Sequence, residues 1–165
     1  MGSTQPRSVA SPRLVLTLIA LASVGAVGFA LFAQYRLNMQ PCPWCILQRV
    51  LFLLIGLLAG LGAMLGTRPA TVLASLLIVA SAAGGAASAW YQHFVAAKSA
   101  SCNLTLADRI VSSIHLDTAL PAAFEVRASC ADAASTLIGV PFEFWSLALY
   151  VVLAVAALWC LRARR

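Results

Sequence analysis

Charged side chains are scarce in this 165-residue chain. Only 10% of its residues are Asp, Glu, Lys or Arg, and 62% are apolar, whereas a soluble domain carries about 25% charged residues. This scarcity excludes an ordinary water-soluble domain and indicates that most of the surface faces lipid. A net charge of +6 would suggest nucleic-acid binding in a soluble protein, but the basic residues are scattered among apolar segments. We therefore expect no nucleic-acid partner.

The sequence also lacks the signatures of several common enzyme classes. It contains no phosphate-binding P-loop, no dinucleotide-binding glycine fingerprint and no metalloprotease motif. No haem or flavin site is visible, and there is no internal repeat. The sequence therefore offers no motif for nucleotide-dependent or metallopeptidase chemistry, and the length favours a single domain.

Long apolar runs occupy most of the chain. A membrane-spanning helix needs about 20 mostly apolar residues, and four runs qualify: residues 14–32, 45–65, 70–90 and 142–161. The first run follows Arg7 and Arg13 as a secretory signal would, but it is long for a signal, so we expect it to be retained. The sequence predicts one all-α integral membrane domain over residues 1–165, a four-transmembrane-helix bundle.

The distribution of Lys and Arg predicts the orientation of these spans, because cytoplasmic loops are enriched in both residues. One side of the membrane holds six arginines and no acid: Arg7, Arg13, Arg68, Arg162, Arg164 and Arg165. The other side holds every acid of the chain: Asp108, Asp117, Glu125, Asp132 and Glu143. We therefore expect both termini in the cytoplasm and the loops 33–44 and 94–141 on the outside, which is the periplasm, with the spans in the inner membrane, if the cell is a Gram-negative bacterium.

The second periplasmic loop, between the third and fourth spans, is long enough to be functional or disordered. Within it, residues 104–114 place apolar side chains at a spacing that fits a short helix on the membrane surface. A plain loop with a few apolar residues is the alternative. Inside the spans, paired glycines predict close helix packing: Gly56 with Gly60, Gly62 with Gly66, and Gly84 with Gly85.

The chain contains five cysteines: Cys42, Cys45, Cys102, Cys130 and Cys160. Cys160 lies at the inner end of the last span, where we expect it to fill space as a small apolar residue. The other four lie on the predicted outer side, where thiols tend to become disulfides. Three pairings are possible, of which Cys42 with Cys45 and Cys102 with Cys130 is the simplest.

Three kinds of site fit four outer cysteines. Both bridges could be structural, and one closing the loop between Cys102 and Cys130 would stabilise it by roughly 3–4 kcal/mol. A four-cysteine zinc site is disfavoured, because only one half has the usual close spacing, so we expect no metal. A Cys-x-x-Cys bridge stabilises little, and its spacing is typical of redox-active pairs.

The position of the Cys-x-x-Cys pair at the start of the second span suggests how electrons leave it. Cys45 is expected in the first helical turn, where unpaired N–H groups favour a thiolate. Arg49 follows at i+4 on the same face and would favour a thiolate or an anionic acceptor, although an arginine here could also reach lipid headgroups. At the bilayer surface only a lipid-soluble acceptor is at hand, so a quinone is the expected cofactor.

At these residues the chain resembles the DsbB family of bacterial disulfide-forming membrane oxidoreductases. The resemblance covers nearly the whole chain. It includes the four spans, the Cys-x-x-Cys-x-x-x-Arg entry to the second span and the cysteine pair in the second outer loop. The segments 91-YQH-93 and 130-CADAASTLIGVPFEFW-145 also match.

The resemblance implies a route for electrons from a periplasmic partner. Reduced DsbA, a thioredoxin-fold protein, would attack Cys102 of a disulfide between Cys102 and Cys130. Cys130 would then attack Cys42, leaving Cys45 as the thiolate that passes electrons to ubiquinone or menaquinone.

The resemblance also implies which residues bind the quinone. Arg49 corresponds to the family's quinone-site arginine, and His93 falls where the family has a histidine near the quinone. Gln48 stands where some members carry an acid. A quinone-linked enzyme similar to vitamin K epoxide reductase is one alternative function, and a non-catalytic membrane protein with two structural disulfides is another.

Overall fold

The computed structural model describes residues 11–98 and 106–163. In chain order, the elements are α1 (Pro12–Arg36), α2 (Pro43–Leu65), α3 (Arg68–Phe94), a 3-10 turn (Ala96–Lys98), α4 (Leu106–Ser113), α5 (Leu116–Ala119), α6 (Pro121–Phe124), β1 (Thr136–Leu137), β2 (Val140–Pro141) and α7 (Phe142–Ala163). The long helices α1, α2, α3 and α7 are each long and apolar enough to cross a membrane. The predicted all-α four-helix membrane fold is confirmed, and each long helix includes one of the predicted spans.

Short polar side chains and prolines set where the spanning helices begin. The Ser11 hydroxyl accepts from the backbone N–H of Leu14 at 3.3 Å, and Pro12 opens α1. Thr67 caps α3 in the same way, accepting from Ala70 N–H at 3.4 Å. These contacts satisfy backbone donors that a helix start leaves without partners. The starting points of α1 and α3 are therefore set by the local sequence.

The bundle core lies where α2 packs between α1 and α3, and where α3 packs on α7. Tyr150 of α7 is fully buried there, with its ring stacked on Phe52 at 4.2 Å between centroids. Its hydroxyl donates to the backbone oxygen of Gln48 at 2.9 Å. Cys160 is also fully buried in this core, as expected of a small apolar filler. The contact between α1 and α7 is much smaller than these three, which leaves room for a cavity described below.

Glycines provide the close contacts in two of the three predicted pairs. A methyl group added to Gly85 would overlap the Tyr150 ring, and one added to Gly62 would lie 2.8 Å from the Cβ of Ala74. Gly60 and Gly84, by contrast, have no other group within 4 Å of such a methyl. Gly66 has a different role, because it ends α2 in the left-handed conformation with φ of +62°, which glycine adopts without a steric penalty.

The long loop between α3 and α7 folds over the N-terminal end of α2. The predicted helix in this loop is present as α4, whose Ala107 and Val111 are buried in a cluster with Trp44. Leu106 and Ile110 of the same helix are exposed. One side of this helix packs on the protein, and its position on the membrane surface stays a prediction.

The loop ends in a small hairpin that the sequence analysis did not predict. Strands β1 and β2 pair antiparallel, with Thr136 opposite Pro141 and Leu137 opposite Val140. The two-residue turn has positive φ at both Ile138 (54°) and Gly139 (77°), as a type I′ hairpin turn requires. Strands of two residues carry too little alternation to be recognised, but this hairpin leads the chain directly into α7.

Replacing Gly85 with Ala should destabilise the bundle by about 1–3 kcal/mol, because the added methyl forces the buried Tyr150 ring from its stacked position. Thermal unfolding in detergent would measure the loss. Gly84→Ala is the matched control, since its methyl would meet open space. Equal stability of the two variants would contradict the packing described here.

Candidate active site

The Cys-x-x-Cys pair forms the first turn of α2. Cys42 is the N-cap residue, with an extended backbone, and its sulfur accepts from the backbone N–H of Cys45 at 3.4 Å. The two Sγ atoms lie 2.9 Å apart, so a small side-chain rotation would bring them to bonding distance. Cys42 is fully buried, whereas Cys45 is half-buried. The two sulfurs of one pair therefore have different access to their surroundings.

The loop brings Cys130 against the buried side of this pair. The sulfur of Cys130 is in hydrogen-bond contact with that of Cys42, and it also accepts from the backbone N–H of Trp44. Cys130 follows Ser129, whose hydroxyl bonds the Asp132 carboxylate at 2.6 Å and closes a tight turn. Three cysteines predicted to be redox-active are therefore contiguous in space.

Backbone contacts hold this part of the loop on the bundle. The carbonyl of Pro41, next to the cysteine pair, accepts from the N–H groups of Arg127 at 3.0 Å and Ala128 at 3.3 Å. Five residues before Arg127 in the loop, the carbonyl of Ala122 accepts from the Tyr35 hydroxyl at 2.6 Å. These bonds fix the chain on both sides of the Phe124 ring, which is buried in the same cluster as Cys42.

The contact between Cys42 and Cys130 shifts the pKa values of the two thiols in opposite directions. Hydrogen bonding to Cys130 and then to Cys45, together with burial, raises the pKa of Cys42 well above its ordinary value. The bond that Cys42 donates lowers the pKa of Cys130. Cys130 is therefore the better nucleophile of the two, because the thiolate is the reactive form, and Cys42 is held protonated beside it.

A cavity of about 520 Å³ opens on the other side of the pair, between α1 and α7. Its walls are mainly apolar, and Phe29 and Trp145 at its rim are about half exposed on the outer surface of the bundle. The polar groups that line it include Cys45, Gln48, Arg49, Gln92 and Glu143. A mainly apolar cavity with a few converging polar groups is the usual form of a small-molecule site.

Arg49 lies in the wall of this cavity and is only 5% exposed. Its guanidinium donates to Gln34 Oε1 at 2.7 Å and to the Ala123 carbonyl at 2.6 Å. Within residues 11–98 and 106–163, no carboxylate lies within ion-pair distance of it. The alternative that Arg49 reaches lipid headgroups does not fit this burial. An arginine bonded only to neutral acceptors keeps its full positive charge available to the cavity.

His93 reaches the cavity through a second residue. Its Nδ1 atom lies 2.6 Å from Oε1 of Glu143, and it is Glu143 that lines the cavity wall. The Glu143 side chain is 7% exposed and that of His93 is 30% exposed. The pair therefore connects the cavity wall to the surface near the outer end of α3.

Sequence reasoning missed the two amides of this site as partners. Gln48 Nε2 donates to Gln92 Oε1 at 2.7 Å, and Gln92 Nε2 donates to the sulfur of Cys45 at 3.3 Å. Gln34 and Glu143 were also missed. In the sequence each of these residues is visible only as a polar side chain in or beside an apolar span, and that does not reveal which residue it bonds. Cys102 lies outside the described residues, so its pairing with Cys130 stays a prediction.

The fold and this site define a multi-pass membrane protein that holds three cysteines together at one end of its helix bundle. The family model described as disulfide bond formation protein DsbB matches residues 12–160. The chain is 34% identical over 153 residues to disulfide bond formation protein B of Chromobacterium violaceum, covering 90% of this chain and 92% of the relative. It is 32% identical over 151 residues to disulfide bond formation protein B 1 of Pseudomonas savastanoi, covering 91% and 89%.

These similarities span both the helices and the loop that carries Cys130. The chain belongs to the DsbB family, as the sequence resemblance predicted. It is a membrane protein of disulfide-bond formation, which disfavours the alternative of an enzyme similar to vitamin K epoxide reductase.

The contact between Cys42 and Cys130 predicts a measurable pH dependence. With Cys102 replaced by Ser and the protein kept reduced, alkylation of Cys130 should reach half its maximal rate below about pH 8.5, the ordinary midpoint for cysteine. A lowered pKa means that the thiolate is present at lower pH. Adding Cys42→Ala removes the donor and should move the midpoint upward. Peptide mass spectrometry would follow the reaction, and identical midpoints would contradict the contact.

Proposed function

We propose that this protein is a quinone-dependent thiol oxidase of the bacterial inner membrane. It reoxidises a periplasmic DsbA-like protein with a thioredoxin fold and passes the electrons to a membrane quinone. One observation carries the proposal: Cys130 of the loop contacts Cys42 on one side of the pair, while Cys45 lines an apolar cavity on the other. This arrangement joins a water-exposed donor side to a lipid-side acceptor.

Thiol exchange would begin in the loop. A thiolate of the partner attacks Sγ of Cys102, breaking the bond to Cys130 and releasing Cys130 as a thiolate. Cys130 attacks Sγ of Cys42, so that a bond between these two forms and Cys45 leaves as a thiolate. The contact of Cys130 with Cys42 places the attacking sulfur beside its target, and the backbone N–H of Trp44 stabilises the Cys130 thiolate in this second step.

The remaining exchanges return each cysteine to its starting state. When the partner closes its own disulfide, Cys102 is released as a thiolate and attacks Cys130. This restores the loop disulfide and leaves Cys42 and Cys45 reduced. Re-forming the bond between Cys42 and Cys45 then releases two electrons and two protons at the cavity.

The residues around the cavity fit a quinone. Arg49 and Gln48 present hydrogen-bond donors, and a quinone head carries two carbonyl acceptors on a flat apolar ring. The opening between α1 and α7 faces the side on which lipid would lie, so an isoprenoid tail would extend through it. When bound, the quinone supplies a two-electron acceptor.

Redox potentials favour the same acceptor. DsbA is a strong oxidant, with a potential of about −120 mV, so its reoxidation requires an acceptor of still higher potential. Ubiquinone and menaquinone are candidates, whereas nicotinamide cofactors are too reducing. The alternative of two structural disulfides predicts bridges that resist mild reductants, whereas the proposed enzyme requires labile ones.

The function is tested by quinone reduction in the purified protein, followed by absorbance with reduced DsbA as donor. We expect Cys45→Ser to abolish turnover while leaving membrane insertion intact, because it removes the thiol that faces the cavity. Cys160→Ala is the matched control and should keep turnover, since that residue lies in the core at the far end of the bundle. Normal turnover in Cys45→Ser would contradict the proposal.

Arg49→Ala should raise the apparent KM for quinone by about 10–100-fold, the expected effect of losing one charge-assisted hydrogen bond. The same variant also loses the loop contact to Ala123, so a control is needed. Tyr35→Phe removes the neighbouring loop contact to Ala122 without changing the cavity, and its KM for quinone should be unchanged. Steady-state titration with a short-chain quinone measures both, and an unaltered KM in Arg49→Ala would rule out its quinone role.

A further inference from the structure

Two buried amides form a directed chain that ends on one sulfur. Gln48 of α2 is 4% exposed and Gln92 of α3 is 6% exposed. Gln48 Nε2 donates to Gln92 Oε1 at 2.7 Å, and Gln92 Nε2 donates to Cys45 Sγ at 3.3 Å. Burying two amides is costly unless their groups are bonded, and here they are bonded to each other and to the sulfur.

In this order of donors the sulfur of Cys45 is a hydrogen-bond acceptor. Because Gln92 Oε1 already accepts from Gln48, its NH2 group is the one turned toward Cys45. Cys45 is then a hydrogen-bond acceptor, the only role open to a thiolate. A hydrogen bond to an ionised group stabilises it more than a bond to a neutral one.

The amide distinguishes Cys45 from its neighbour. Cys42 contacts the loop thiol and accepts from a backbone N–H, whereas Gln92 bonds Cys45. The hydrogen bond from Gln92 of α3 therefore reaches Cys45 of α2, the sulfur that faces the cavity.

We propose that Gln92 is a catalytic residue that stabilises the Cys45 thiolate, and that Gln48 is a positioning residue that orients the Gln92 amide. This inference rests on the proposed function, in which Cys45 is the exit thiol. It adds a neutral donor from α3 to the charge of Arg49. A carboxylate at position 92 would place a negative charge and an acceptor at the sulfur, and would oppose the thiolate.

The test is the rate at which iodoacetamide alkylates Cys45 in detergent, followed by mass spectrometry. The background keeps Cys45 as the one thiol, through Cys42→Ser, Cys102→Ser, Cys130→Ser and Cys160→Ala. We expect Gln92→Met to slow alkylation about tenfold at pH 7, since it removes one hydrogen bond to a charged sulfur. At pH 10 the rate should match the background, because the thiol ionises without help. Gln92→Glu should be slower still at pH 7.

Two further variants separate this role from packing. Gln48→Met should also slow alkylation at pH 7, and should add little when combined with Gln92→Met because both act through one amide. Ser88→Ala is the matched control: Ser88 lies one turn earlier on the buried side of α3, and among the described residues its hydroxyl bonds only the Gly85 carbonyl of its own helix. Its alkylation rates should equal those of the background at both pH values.

An unchanged rate for Gln92→Met at pH 7, or equal slowing at pH 7 and pH 10, would overturn the inference. The assay contains neither quinone nor partner protein, so it is independent of turnover. Failure of the proposed function would appear as absent turnover with the pH 7 difference intact. Failure of this inference would appear as intact turnover with no rate difference.

Discussion

The contact between Cys42 and Cys130 is the interaction on which the site depends. It requires that a long loop fold back onto the N-terminal end of α2 and exclude water from a sulfur that is fully buried. The Pro41 carbonyl, the Tyr35 hydroxyl and the Arg49 guanidinium each bond that loop. In the reduced protein, the same contact keeps Cys42 protonated and makes Cys130 the stronger nucleophile. Docking of the loop and reactivity of the thiols are therefore one property of the fold.

The helices give this exchange a direction. Cys42, which contacts the loop, is fully buried. Cys45, three residues later, lines a cavity that opens between α1 and α7. Arg49 serves both sides, because its guanidinium lines the cavity and also bonds the loop carbonyl of Ala123. A ligand that bonds the Arg49 guanidinium in the cavity therefore contacts a group that also holds the loop in place. The Tyr150 ring and Gly85 keep α3 and α7 close, which places Gln92 and Glu143 in the same wall.

Much of the fold could be predicted because lipid solvation imposes a strong pattern on the sequence. The four spans follow from their apolar length, and the capping position of Cys42 follows from the proline after it. The chemistry at Cys45 and Arg49 was accessible because both lie on one helix. The bonds of Gln92 to Cys45 and of His93 to Glu143 were not, because they join different helices. The spacing of apolar residues in the loop fitted a helix as one of two alternatives, but spacing does not say which of those side chains pack on the protein.

The central claim is that the loop docks Cys130 on Cys42 in a geometry ready for exchange. It is tested most directly by replacing Cys45 and Cys102 with Ser, oxidising the protein mildly in membranes and mapping its disulfides by mass spectrometry. The account predicts a bond between Cys42 and Cys130 within one chain, formed in nearly all molecules. Free thiols at both positions, or bonds only between different chains, would contradict it.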